Sequence, residues 1–170
     1  QKDLFHRYGT TMRGMMSEEN IQPDVYLSYV HDIDVSDLSY DEELDEMLSW
    51  LPGRKHIFTN GTVPHAENIL SAYGVGQHFD QIFDIVAANY IPKPEQYAFD
   101  LFLNQTGIDP NGAVMIEDMA ANLRPAAALG MHTVWLSSDV EWANRGSDEP
   151  FVHYKADNLK GFLRSLRIAD

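Results

Sequence analysis

Cysteine is missing from all 170 residues of the chain. Disulfide stapling, thiolate catalysis and cysteine-ligated zinc are thereby excluded, and the cytoplasm is the expected compartment. Positive charge is scarce: 12 Lys and Arg stand against 26 Asp and Glu, a formal net charge of -14. A protein of that sign repels phosphate backbones, so a nucleic-acid polymer is not an expected partner, and an anionic small molecule needs a local cationic device. No run of about 18 apolar residues occurs, and no membrane span is expected. The opening Gln1-Lys2-Asp3-Leu4 has neither the basic start nor the apolar run of a secretory signal, and no initiator methionine. Repeats and low-complexity tracts are absent. Hydrophobic residues make up 44% of the chain, enough for one compact domain, alone or with a small appendage.

Helical spacing comes first. Leu4, Phe5, Tyr8, Met12, Met15 and Met16 recur every three or four residues, which predicts an amphipathic helix weakened at Gly9 and Gly14. Pro23 opens a second helix whose apolar face is Val25, Tyr26, Tyr29 and Val30, and Asp41 to Leu51 reads as a third, ending at Pro52-Gly53. From there strand and helix alternate. Strands are expected at 56–59, 82–86, 113–116 and 133–136, and helices at 64–72, 95–105 and 120–129, the last closed by Gly130. A polar loop over 142–150 precedes a final helix at 159–168. Strict alternation implies right-handed crossovers and a mostly parallel sheet, an α/β class. The composition break near Pro52-Gly53 divides an acidic helical front, 1–52, from an α/β body, 53–170.

In open parallel sheets ligands bind at the carboxyl ends of the strands, so the residues just after each apolar run carry the interest. Thr59-Asn60-Gly61-Thr62 follows the first strand, Lys93 between Pro92 and Pro94 the second, and Glu117-Asp118 the third. Phosphoryl chemistry needs these groups: prepositioned donors for the equatorial oxygens, a cation, and hard oxygen ligands for Mg²⁺. Thr59 and the backbone N–H groups near Asn60 and Gly61 can donate to phosphate, Lys93 can neutralise it, Glu117 and Asp118 can hold the metal, and Asn122 can orient one of them. Taken singly, each has an ordinary reading: a turn, a solvated lysine, an acidic helix start. Their order at three successive strand ends carries the inference.

Ile57-Phe58-Thr59-Asn60-Gly61, Pro92-Lys93-Pro94, and Met115-Ile116-Glu117-Asp118 with Asn122-Leu123 and Ala128-Leu129-Gly130-Met131 resemble the second, third and fourth motifs of the haloacid-dehalogenase (HAD)-like hydrolase superfamily. They span most of Ile57 to Leu136. The resemblance implies a Rossmann-like three-layer α/β core with a partial helical cap, and Mg²⁺-dependent hydrolysis of a phosphomonoester through an aspartyl-phosphate. In that scheme Lys93 and Thr59 are catalytic, Thr59, Asn60, Gly61 and Lys93 bind phosphate, and Glu117 and Asp118 hold Mg²⁺. True haloacid dehalogenases carry a Ser-Asn type sequence where Glu117-Asp118 stands, so dehalogenation is the lesser expectation. His6-Arg7-Tyr8-Gly9-Thr10-Thr11, Val30-His31-Asp32 and Leu51-Pro52-Gly53-Arg54-Lys55 are similar to the pyrimidine 5′-nucleotidase branch. That likeness implies a nucleoside 5′-monophosphate substrate, cap contacts from Arg7, Tyr8 and His31, and a monomer or homodimer.

Members of the superfamily begin with an apolar strand ending in Asp-x-Asp-x-Thr, whose first aspartate attacks phosphorus. Such a strand is not found ahead of the cap-like helices, and its loss would leave neighbouring strand edges with unpaired backbone groups. Asp32-Ile33-Asp34-Val35-Ser36 matches the pattern with serine for threonine, but Tyr26 to His31 before it reads as helix. The seven histidines include no His-x-x-x-His pair, and Ser137-Ser138 lacks nucleophile-elbow glycines. Tyr8, Met12, Met15 and Met16 read as cap packing more readily than as a base-stacking platform. Two other readings stay open: a noncatalytic module that binds phosphate and Mg²⁺ for regulation, and a phosphosugar phosphatase or mutase.

Overall fold

The computed structural model describes residues 7, 11–19, 21–30 and 34–167. They divide between two compact units, one within Gln1–Asp41 and Arg54–Pro92, the other within Glu42–Gly53 and Lys93–Asp170.

In the first unit, helices α1 (Thr11–Glu19) and α2 (Pro23–Val30) form where the spacing predicts, α2 starting at the proline whose fixed φ suits a first helical turn. Buried Leu27 of α2 meets buried Ile85, with Met16, Tyr26 and Tyr90 packed around them. Strand β1 (His56–Phe58) pairs in parallel with β2 (Gln81–Phe83), Ile57 opposite Ile82 and Phe58 opposite Phe83. The two phenylalanine rings meet edge to face at 5.3 Å. Helix α3 (Glu42–Trp50) falls with the second unit, and helix α4 (Val63–Tyr73) crosses between β1 and β2 in the first. Gly74 ends α4 at φ +69°, where a Cβ would stand 2.5 Å from Tyr40 Cδ2, so only glycine fits.

The second unit holds a three-stranded parallel ladder ordered β3 (Val114–Glu117), β4 (His132–Leu136), β5 (Tyr154–Ala156). Its helices are α3, α5 (Gln96–Thr106), α6 (Leu123–Ala128) and α7 (Leu159–Arg167). Helix α5 buries Ala98, Phe99, Phe102 and Thr106, a stripe of three- and four-residue steps. Central β4 buries Thr133, Val134 and Trp135. Glu43 of α3 accepts from Arg164 Nε at 2.8 Å, and Glu46 from Arg167 Nη1 at 3.1 Å, fastening α3 to α7.

Three differences from the sequence reading have local causes. The second strand ends at Phe83, because the Asp84 carboxylate folds back to accept from Ala87 N at 2.9 Å. The region 120–129 opens as a 3₁₀ turn at Ala120–Asn122 before α6 begins. Strand β5 has no counterpart in the sequence pattern: it has three residues, two of them exposed, and no apolar run to announce it. Among the described residues β1 and β3 each pair on one side only. No described helix is long and apolar enough to cross a membrane.

Candidate active site

In the first unit the ladder runs one step past β1, with Thr59 N donating to Phe83 O at 3.0 Å. The chain then turns sharply. Gly61 N donates to Thr59 Oγ1 at 2.9 Å, and Ile85 N donates to Gly61 O at 3.1 Å. Thr59 Oγ1 thus spends acceptor capacity on its own turn and keeps its O–H proton for another acceptor. Asp84, 6% exposed, lies at the end of β2 and accepts from Val63 N at 3.0 Å as well as from Ala87 N. Thr62, the residue before α4, makes no side-chain cap, so Asp84 caps that helix from another part of the chain. The apolar pattern places it inside a longer strand, although it obeys the same rule that singles out Thr59: a polar residue directly after an apolar run.

The second unit brings together Lys93, Glu117, Asp118 and Asn122. Lys93, 6% exposed, donates from Nζ to Glu117 Oε2 at 2.6 Å. Glu117 Oε1 accepts from Asn122 Nδ2 at 2.9 Å, with Met119 N at 3.4 Å. Both oxygens of Glu117 are therefore engaged, as a nearly buried carboxylate requires. Asn122 is also buried, and its Oδ1 has no hydrogen-bond partner among the described residues, leaving an acceptor directed at nothing else described. Asp118 is exposed. Partial burial of its carboxyl, followed by the negative charge of Glu117, raises its pKa above the ordinary 3.8.

For Mg²⁺ the chemistry of the donors is suitable and their availability unequal. Glu117, expected as a metal ligand, is committed to Lys93 and Asn122, whereas Asp118 is the more exposed of the two, its carboxyl beside that of Glu117. No group of three or more potential His, Asp or Glu ligands converges among the described residues. Mg²⁺ retains several waters and takes one or two carboxylates besides phosphate oxygens, so Asp118 fits as one protein ligand.

Arg7 is exposed and pairs with Glu18; Tyr8 and His31 lie outside the described residues. So do Asp32 and Ile33. Asp34 is exposed and accepts from Ser36 N at 2.9 Å in a turn that follows helix α2. Asp34 itself thus stands in a turn and not at the end of a strand.

A haloacid dehalogenase-like hydrolase family model matches residues 11–130, and the chain belongs to that family. A stretch of 55 residues is 34% identical to mouse acyl-CoA dehydrogenase family member 10, covering 31% of this chain and 5% of that protein. L-2-haloacid dehalogenase from Xanthobacter autotrophicus is similar in structure, with a TM-score of 0.58 and 14% identity over 74% of this chain and 60% of the dehalogenase. A HAD phosphatase from Thermococcus onnurineus gives 0.58 at 23% identity, over 76% and 57% of the two chains. The chain thus spans less than two thirds of each of these relatives, and at such identities the structural likeness establishes the α/β HAD-like fold alone.

Proposed function

We propose that the protein is a Mg²⁺-dependent phosphomonoester hydrolase acting on nucleoside 5′-monophosphates. The observation that carries this reading is the Glu117-Asp118 pair, in which one carboxylate is locked to a buried lysine and an asparagine while its neighbour stays exposed for a cation. Bound Mg²⁺ would supply charge neutralisation for the phosphoryl oxygens. Asp118 would hold it, Lys93 would fix phosphate, and Glu117 and Asn122 would hold Lys93 and the turn in place. In the first unit, the Thr59 hydroxyl and the peptide groups of Asn60 and Gly61 have the donor chemistry for phosphate oxygens. Support for a nucleotide substrate comes from the sequence likeness around Arg7 and Val30-His31-Asp32.

The test is phosphate release from a panel of nucleoside 5′-monophosphates and sugar phosphates with and without Mg²⁺, beside chloride release from 2-chloropropionate. Phosphate release that needs Mg²⁺, favours nucleotides and disappears in Asp118→Asn is expected. Chloride release without phosphate release would overturn the reading, and a preference for sugar phosphates would move the substrate class. Phosphate binding without turnover is a second reading. It predicts saturable phosphate binding with no release.

A further inference from the structure

Behind the Glu117-Asp118 turn stands an aromatic side chain that the proposed reaction leaves without a task. Trp135, on β4, is 8% exposed and packs with Ala120 and Leu123, with Met115, Phe151 and Val152 around them. An indole has one N–H donor and no acceptor, and a buried indole usually gives that N–H to a carbonyl or carboxylate. Trp135 Nε1 donates to the backbone oxygen of Asp118 at 2.8 Å. In the register of the ladder Trp135 lies opposite Glu117, the last residue of β3. The indole therefore reaches one residue beyond the end of the strand and binds the chain where the ladder no longer holds it.

The same turn is secured elsewhere. Met119 N and Asn122 Nδ2 approach Glu117, and Ala120 N donates to Ala143 O at 3.0 Å. These contacts fix the residues on either side of Asp118, while the Trp135 bond fixes the carbonyl of Asp118 itself. A side chain's direction follows from the backbone that carries it, so the peptide orientation set by Trp135 also sets where the Asp118 carboxylate points.

Resting on the reading of Asp118 as a metal ligand, we infer that Trp135 is a positioning residue for the divalent cation, acting through its indole N–H on the Asp118 carbonyl. Losing such an outer partner typically weakens metal affinity about 10- to 100-fold.

The experiment measures Mn²⁺ binding by water-proton relaxation in the parent chain, Asp118→Asn and Trp135→Phe, at a temperature well below every melting midpoint. Phenylalanine fills much of the ring's space and removes the donor. Loss of binding in Asp118→Asn, with affinity lowered about tenfold in a folded Trp135→Phe, is the expected result. Unchanged affinity in Trp135→Phe while Asp118→Asn loses binding overturns the inference and leaves the metal reading standing. Absence of binding in the parent, or binding indifferent to Asp118→Asn, overturns the metal reading and the inference with it. Should Trp135→Phe fail to fold, benzothienylalanine at position 135, with sulfur in place of the N–H, makes the same deletion at nearly constant shape and is judged by the same outcomes.

Discussion

Two strand ends in this protein use different physics. After β1, the Thr59 turn is held by hydrogen bonds to main-chain groups, and Asp84 supports α4 through two more main-chain N–H groups. After β3, the Glu117 turn is held by a buried ion pair and an amide side chain. A turn of the first kind tolerates the loss of one partner, because each bond contributes modestly. In the second kind the charges hold one another in a nearly dry place, and removing either strands the other. The contrast teaches that rigidity at a candidate phosphate site can be local and inexpensive, or can depend on complete charge compensation.

The largest effect should come from Lys93→Met, which leaves Glu117 buried without its cation. A loss of about 3–5 kcal/mol is expected from urea denaturation. The double replacement Lys93→Met with Glu117→Leu should recover most of it, since a buried ion pair is commonly no better than apolar packing. A small cost for Lys93→Met would erase the difference between the two turns. Next comes Asp84→Ala, expected to cost about 1–3 kcal/mol by leaving the N–H groups of Val63 and Ala87 unpaired. If it costs as much as Lys93→Met, the first turn is no more tolerant than the second. Thr59→Val should cost about 1 kcal/mol, sharpening the contrast from its gentle end.

The smallest effect concerns Asp118. Its pKa is raised in the folded state, so the native protein holds that proton more tightly than the unfolded chain and ionisation opposes folding. The cost develops as pH rises from the ordinary carboxylate range through the raised value, and disappears below that range. Asp118→Asn should therefore stabilise the metal-free protein at pH 7 by a few tenths of a kcal/mol, about what a half-exposed charge allows. Denaturation midpoints of the two proteins should converge as pH falls below about 3.

Much of this arrangement was legible in residue order. Apolar runs placed β1, β3 and β4, and the residues after them gave Thr59, Glu117 and Asp118, because a strand end is where backbone pairing stops and side chains become available. Helices α2 to α5 followed from periodicity, helped by Pro23 at the start of α2 and Pro52-Gly53 after α3. Trp135 carries no functional signal in sequence because an aromatic residue in an apolar strand reads as core, which it also is; its N–H has meaning only beside Asp118 O, 2.8 Å away. The engagement of Glu117 was hidden for the same reason: Lys93 is 24 residues distant in sequence. Tyr154-Lys155-Ala156 gave no sign of strand, since pairing with β4 alone makes it one.

The fastening of α3 to α7 has a consequence for how the chain reaches this state. Glu43 and Arg164 are 121 residues apart in sequence, and each unit draws on two separated stretches of the chain. Contacts of such range must await closure of long loops, whose entropy is lost before the contact returns anything, so folding should be slow for the chain's length. During synthesis, helix α3 emerges well before the helix that fastens it, and its Glu43 and Glu46 must wait for Arg164 and Arg167.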